Sequence, residues 1–483
     1  MQNFNIPIWL KECHGLQRIN EPVRFGIPLS RKLLSENQKI RVVSHLGQFI
    51  PCQTRPLCLW PDRSIKWLLL DIFVSLQAHE KAVFTLKLEN DTEDGDSASD
   101  QSTPLAWQDS VEAFTVDTGV ALFTIPKQAF APFSSVKLGA VEILSSEASW
   151  ICLLDKKGNE YLPVVERWCM EETGSLRATL LAEGHFLIQS RKPVLSFKAR
   201  LVFFANSPAV RIELQVRNPQ AALHPGGLWD LGDPGSFFFK DLSIQFQPAG
   251  AVQQLDWYAE EPDQVRSIDP GEWTLYQDSS GGENWNSRNH IDCSGNRSVS
   301  FRGYRIDRRH NGKSERLAEG GRATPGIRLK TASGWVAATV QDFWQNFPKA
   351  LRWQDGALSI GLFPSESRNG FELQGGEQKR HTMLMDFGLP GQETVLARLQ
   401  HPIQAWVDPV WVEETTAVSY FIAKQNDPNP EYLDYVDHII AGSNSFFQKR
   451  EIIDEYGWRN FGDLYADHEA VNHPGPSALI SHY

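Results

Sequence analysis

The side chains best suited to chemistry crowd into one string, Tyr456-Gly-Trp-Arg-Asn-Phe-Gly-Asp-Leu-Tyr-Ala-Asp-His-Glu469, followed by Asn472, His473 and the terminal Ser481-His-Tyr483. Gly457 and Gly462 interrupt helical continuity. Trp458, Arg459, Asn460 and Asp463 are therefore expected at a loop or helix start, where side chains converge on a ligand. Arg459 can fork onto a carboxylate, and Trp458 can stack on a pyranose face. The same residues equally fit a Trp-Arg cation-π stack with a buried Arg-Asp pair at a domain junction. His468-Glu-Ala-Val-Asn-His473 is not a zinc helix, because a five-residue offset at about 100° per residue turns the imidazoles about 140° apart. A looser site on Asp463, Asp467 and His468 is the lesser alternative, and no metal is expected.

A second string, Gln277-Asp-Ser-Ser-Gly-Gly-Glu-Asn-Trp-Asn-Ser-Arg-Asn-His290, is followed by Arg302-Gly-Tyr-Arg305. From Arg297 to Arg322 eight Lys and Arg face three acids, a surplus of five in an acidic chain, which is where an anionic substrate would be met. A solvated charged hairpin fits Asp307-Arg-Arg-His-Asn-Gly-Lys313 better than it fits Arg302 and Tyr304, which flank an expected strand. Ser279-Ser-Gly-Gly282 matches neither glycine-rich phosphate signature. A third cluster is Gln341-Asp-Phe-Trp-Gln-Asn-Phe-Pro348, with Glu372-Leu-Gln-Gly-Gly-Glu-Gln-Lys-Arg-His381 after it. Its interleaved amides and aromatics suit sugar hydroxyls and faces, and equally a packed sheet edge. No Gly-x-Ser-x-Gly elbow is present.

The elements that must position these strings read mostly as strands. In Val210-Arg-Ile-Glu-Leu-Gln-Val-Arg217 the apolar residues alternate with polar ones, placing Val210, Ile212, Leu214 and Val216 on one buried face. Phe197 to Leu201, Ser298 to Arg302 and Val336 to Val340 are further strand candidates, separated by Gly, Pro and Asn turns. After Asp427 the spacing changes. Asn429 can cap a helix, Pro430 suits its first turn and Glu431 complements the dipole, while Leu433, Val436, Ile440 and Phe447 recur at helical intervals. The expected class is mainly β with a C-terminal α segment. Its units are a small N-terminal β-barrel over 1–88, an acidic linker or loop over 89–105, an antiparallel β-sandwich over 106–410, and a helical part over 411–483.

Composition narrows the partners. A length of 483 residues with 41% hydrophobic and 22% charged residues is globular. The net charge of -12 excludes a nucleic-acid backbone as partner, and from Trp411 to Tyr483 twelve acids face four Lys and Arg, so most of that excess lies at the end. Six cysteines fall in no zinc-type spacing. No apolar run reaches membrane-spanning length and the start lacks a signal-peptide pattern, so a cytoplasmic location and no membrane partner are expected. Sixteen Trp exceed ordinary core needs, and sugar stacking is one outlet for them. No oligomeric state is legible.

Asp62-Arg-Ser-Ile-Lys-Trp, Tyr276-Gln-Asp-Ser-Ser-Gly-Gly-Glu-Asn-Trp, Asp342-Phe-Trp-Gln-Asn-Phe-Pro, Gly375-Gly-Glu-Gln-Lys-Arg-His and the Tyr456 string occur in this order in proteins similar to exo-rhamnogalacturonan lyases, polysaccharide lyase family 26. The resemblance spans nearly the whole chain. It implies the barrel, the sandwich and a C-terminal α/α toroid, of which the chain is expected to hold only the start. It also implies β-elimination between rhamnose and galacturonate from a chain end and an acidic oligosaccharide partner; no cofactor is expected. Such chemistry needs a clamp on the uronate carboxylate, a base for the C5 proton and an acid for the leaving oxygen. Arg459, Arg302 and Asn289 can supply the clamp; His290, His468 or Tyr304 can be base or acid. Arg302 or Arg305 is expected to share one cleft with Arg459, near His290 or His468, with Trp458 and Asp463 as further substrate contacts. The rival readings are an α/α-toroid glycoside hydrolase using Asp463, Asp467 and Glu469, and a non-catalytic carbohydrate-binding fragment.

Overall fold

Alternation carries the first unit. The computed structural model describes residues 4–88, 104–188, 193–223, 225, 231–310, 312–443 and 445–462. In the strand Asn5–Lys11, Ile6, Ile8 and Leu10 are fully buried while the residues between them face outward. Asn5–Lys11 pairs with Lys81–Leu88, and a three-stranded sheet of Arg18–Pro28, Ile65–Leu76 and Cys52–Leu59 closes over it. The core between them gathers Leu70, Ile72, Phe84 and Leu86.

One boundary needs correction. The strand Gln404–Val407 leaves the sandwich and pairs with the other side of Asn5–Lys11, and Trp411 donates its indole N–H to the Pro28 carbonyl at 2.9 Å. The sandwich therefore does not run to residue 410; the chain first returns to the barrel. Arg18 latches this return, donating to Glu12 at 2.8 Å, to Glu21 at 2.9 Å and to the His401 carbonyl at 2.6 Å.

Burial alone would raise the Glu12 carboxyl, but bonds from Arg18 and the backbone N–H groups of His79, His14 and Gly15 overcome it and hold the group at about 2. A carboxylate depressed in the fold stabilises it above its unfolded value, near 4.5, and that contribution disappears as pH falls towards about 2. Denaturant titrations across this range should show Glu12→Gln, which has no proton to take up, losing less stability on acidification than the wild type. Parallel pH slopes would contradict the assignment.

The second unit stacks two antiparallel sheets. One runs through Glu160–Glu172, Arg177–Leu187, Leu195–Phe204, Val210–Arg217, Gln378–Gly388, Trp335–Val340 and Gly326–Lys330. The other includes Val141–Asp155, Phe237–Pro248, Ala357–Phe363, Lys349–Gln354, Glu272–Gln277 and the hairpin of Tyr304–His310 with Lys313–Gly320. Val210, Ile212, Leu214 and Val216 point inward as expected, and Phe123, Phe133, Phe203 and Phe387 meet between the sheets. The fold is mainly β, with a barrel-like N-terminal domain, a large antiparallel sheet system and a few C-terminal helices.

The strand expected at Ser298 to Arg302 does not form. Its N–H groups at Ser300 and Phe301 are taken by the buried Asp278 carboxylate, at 2.5 and 2.9 Å, instead of a ladder partner. Gly303 follows at φ 73°, where a Cβ would strike the Gly320 carbonyl at 1.9 Å.

In the helical part, Asn429 caps Pro430–Ala441 by accepting from the Tyr432 N–H, with Glu431 in the first turn. No residue of this helix is buried: Ile440 is 61% exposed, and Phe447 in the next helix 66%. The helical spacing thus marks an apolar face left uncovered among the described residues, which build no toroid. None of these helices is long and apolar enough to cross a membrane. The acidic stretch 89–103 lies outside the described residues.

Candidate functional site

The three strings singled out by residue type converge. The helix Phe446–Ile453 starts at a Ser445 cap and ends where Asp454 turns left-handed, φ 56° and ψ 55°. That turn aims a fully buried carboxylate at the 277–290 string: Asp454 Oδ2 lies 2.7 Å from His290 Nε2, and Asp454 Oδ1 accepts from Ser280 Oγ at 2.5 Å. Asn289 Nδ2 secures the same helix end by donating to the Ile453 carbonyl at 3.1 Å. The next residues are stitched to the third string through the backbone, Gly457 N to Gln345 O at 2.8 Å and Trp458 N to Phe347 O at 2.7 Å. Gly457 sits at φ 90°, and a Cβ there would meet the Phe347 ring at 2.9 Å, so this close approach requires glycine. Lys379, from the second half of the third cluster, donates to the Arg459 carbonyl at 3.1 Å.

Asn289, His290, Asp292, Trp458, Arg459 and Asn460 line one narrow cleft of about 40 Å³. His290 is 5% exposed and stands edge-on to Phe347. With Nε2 committed to Asp454, Nδ1 is the ring nitrogen without a partner among the described residues. Such a carboxylate fixes the tautomer and orientation of the ring. Arg459 stacks over Trp458 at 4.7 Å, which is the cation-π arrangement of the structural alternative. Of the buried Arg-Asp pair in that alternative, Asp463 lies outside the described residues, and Arg459 Nη1 has no hydrogen-bond partner among those described. Burial pulls its guanidinium below the ordinary value, against the pull of Glu377 and Glu372. Asn460, 1% exposed, likewise has an Oδ1 with no hydrogen-bond partner among the described residues.

The other expected site residues lie elsewhere. Arg302 is exposed and donates to the Gly281 carbonyl at 2.9 Å. Arg305 lies 3.8 Å over the Phe301 ring. Neither lines the cleft with Arg459, because the disrupted 298–302 segment and the hairpin after it carry both away from it. Tyr304 donates its hydroxyl to Glu260 at 3.0 Å, and burial with Glu260 pushes the phenol above the ordinary tyrosine range; it does not line the cleft. Asp463 and His468 lie outside the described residues, as do Asp467 and Glu469.

Of the residues at this site, Asp454 and Asp292 carry no mark in the sequence reading, whereas Asn460 does. The one available signal for Asp454 was Ile452-Ile453-Asp454 ahead of Gly457, an apolar helix end followed by residues that tolerate left-handed backbone. Beneath the cleft, Phe363 separates Trp458 from a buried His381, which burial and then Lys349 and Lys379 keep neutral.

Comparison with known proteins adds four findings. Residues 8–89 match the family described as the PcRGLX-like N-terminal RIFT barrel domain. The chain is 23% identical over 209 residues to the uncharacterized protein YetA of Bacillus subtilis (strain 168), a match covering 41% of this chain and 23% of YetA. Two Enterococcus faecalis structures, an alpha-mannosidase and a protein in the Glycosyl Hydrolase Family 38, align over 84% of this chain and 46% and 47% of theirs. Their identities are 11% and 10%, with TM-scores of 0.42 and 0.44. A galactose mutarotase-like protein from Clostridium acetobutylicum aligns over 59% of this chain and 99% of its own, at 9% identity and a TM-score of 0.31. The chain thus spans less than half the length of YetA and of both Enterococcus proteins in these matches. The barrel-domain and YetA matches support the resemblance to the rhamnogalacturonan lyase family that the sequence strings carry.

Proposed function

We propose that the chain belongs to a carbohydrate-active lyase that cleaves rhamnose-galacturonate linkages of acidic oligosaccharides by β-elimination from a chain end. The observation that carries this reading is the Asp454-oriented His290 opening on the same cleft as an Arg459 whose Nη1 has no partner among the described residues. The cleft is too small for a sugar ring, since its roughly 40 Å³ falls far below the roughly 300–1,000 Å³ of small-molecule sites. It fits the carboxylate of a galacturonate whose ring rests at the mouth beside Trp458. Arg459 and the adjacent amides then neutralise that carboxylate, which acidifies C5-H. His290 Nδ1 takes the proton, the electron pair forms C4=C5, and the C4 oxygen leaves with rhamnose as a proton reaches it from solvent or an acid.

Incubating the chain with rhamnogalacturonan oligosaccharides should raise the near-ultraviolet absorbance of a conjugated enoate. New reducing ends without that absorbance favour the hydrolase. Binding without either product favours a carbohydrate-binding role. Arg459→Ala should lower kcat/KM by roughly a hundredfold, the usual cost of one oriented charge-stabilising donor, with little change in thermal midpoint. A buried structural arginine would instead show the loss in folding stability, so unaltered kinetics with a destabilised fold would refute the clamp.

A further inference from the structure

A cavity of about 400 Å³ lies between the barrel and the sandwich, with the strand Arg18–Pro28 on one side and Leu195–Phe204 and Val210–Arg217 on the other. That volume falls in the range of small-molecule sites, roughly 300–1,000 Å³. Arg24, Arg177, Arg211 and Arg398 line it against one carboxylate, Glu21. These arginines come from distant parts of the chain and share no motif.

Their donors are unequally used. Arg24 forks onto Asp71 at 2.7 and 2.6 Å and also bonds Glu172. Arg398 donates to the Ile19 carbonyl at 2.6 Å. The Arg177 side chain is only 8% exposed, yet its Nη1 stands 3.5 Å from Asp71 and its Nε 3.7 Å from Glu172, so Nε keeps a long ion pair but no hydrogen bond among the described residues. Arg211 meets Glu213 at 3.0 Å and keeps a buried, unbonded Nε as well. Burial, then Arg211 and Arg24, pull the Arg177 guanidinium down to about 10. Crowded guanidiniums with unspent donors are costly to bury, and one forked oxyanion relieves both the repulsion and the missing bonds. Much of the remaining wall, Leu384, Val395 and Leu399 among it, is apolar, with Ser207 and Gln341 as polar exceptions, and accommodates a molecular body beyond the anionic group.

We propose that this cavity is a second binding site, separate from the cleft at His290, which takes a small organic molecule through a carboxylate or phosphate group held by Arg177 and Arg211. The assignment is independent of the lyase reading, because no residue of the cleft lines this cavity.

Calorimetric titration of the intact chain with D-galacturonate, glucose 6-phosphate and neutral rhamnose tests it. At least one anion should bind while rhamnose does not; galacturonate alone marks a carboxylate ligand, and the sugar phosphate alone a phosphate ligand. Arg177→Met should weaken that binding by roughly tenfold or more. Leu399→Trp, which fills the cavity without touching an ion pair, should do the same and decides the matter if Arg177→Met fails to fold. Arg459→Ala should leave it intact. Absence of anion binding, equal binding of rhamnose, full binding by Leu399→Trp, or loss only in Arg459→Ala would each overturn the site.

Discussion

Replacing His290 by glutamine should lower uronate elimination by about 10²- to 10⁴-fold, the usual contribution of a positioned acid-base group, while the thermal midpoint stays close to that of the wild type. The choice of glutamine matters. Asp454 is fully buried and would be left with an unpaired oxygen by alanine, whereas the glutamine amide can still donate to it. A fold that survives with its rate gone separates chemistry from scaffolding. Asp454→Asn should give a comparable loss by the other route, since an amide facing Nε2 no longer dictates the tautomer that leaves Nδ1 free. Initial rates at saturating oligosaccharide, with melting curves for each variant, check both. A His290→Gln variant that retains the wild-type rate would remove the imidazole from the mechanism.

The largest effect on stability is expected from Phe123→Ala, at about 3–5 kcal/mol. Phe123 is fully buried between the two sheets, with ring centres 5.5 Å from Phe133, 5.2 Å from Phe203 and 5.9 Å from Phe387. Its removal forfeits the transfer energy of the ring and leaves a void that four neighbouring strands cannot close. Phe387 shares the strand Gln378–Gly388 with Lys379, which holds the Arg459 carbonyl, so the sandwich core and the cleft are joined through one element. Urea titration should show a lower midpoint at an unchanged denaturant slope, with catalysis per folded molecule retained. A shift below about 1 kcal/mol would mean that the inter-sheet core is looser than this packing implies.

What could be read from the sequence divides along physical lines. The period-two alternation of Val210 to Arg217 is a local signature of a half-buried strand, and Asn429 with Pro430 is a local signature of a helix start; both features stand where expected. The pairing of Gln404–Val407 with Asn5–Lys11 joins segments almost 400 positions apart and leaves no local trace. Ser298 to Arg302 carries strand-like alternation, yet the Asp278 carboxylate outcompetes a ladder partner for its N–H groups. For the site, residue chemistry marks strings that the fold brings together but not the partners within them. His290, Asn289, Trp458 and Arg459 share a cleft, while Arg302 and Arg305, marked by a local basic surplus, and Tyr304, marked as a base or acid, face other groups. Asp454 was missed because its role comes from one left-handed backbone turn at a helix end.

The central claim is that an imidazole oriented by Asp454 removes the C5 proton of a uronate beside Arg459. Proton magnetic resonance of the products, recorded for the wild type and for folded His290→Gln under identical conditions, tests it most directly. The expected result is a vinylic C4 proton of an unsaturated uronate from the wild type and none above background from the variant. Saturated galacturonate ends from the wild type, or equal vinylic signal from both proteins, would contradict it.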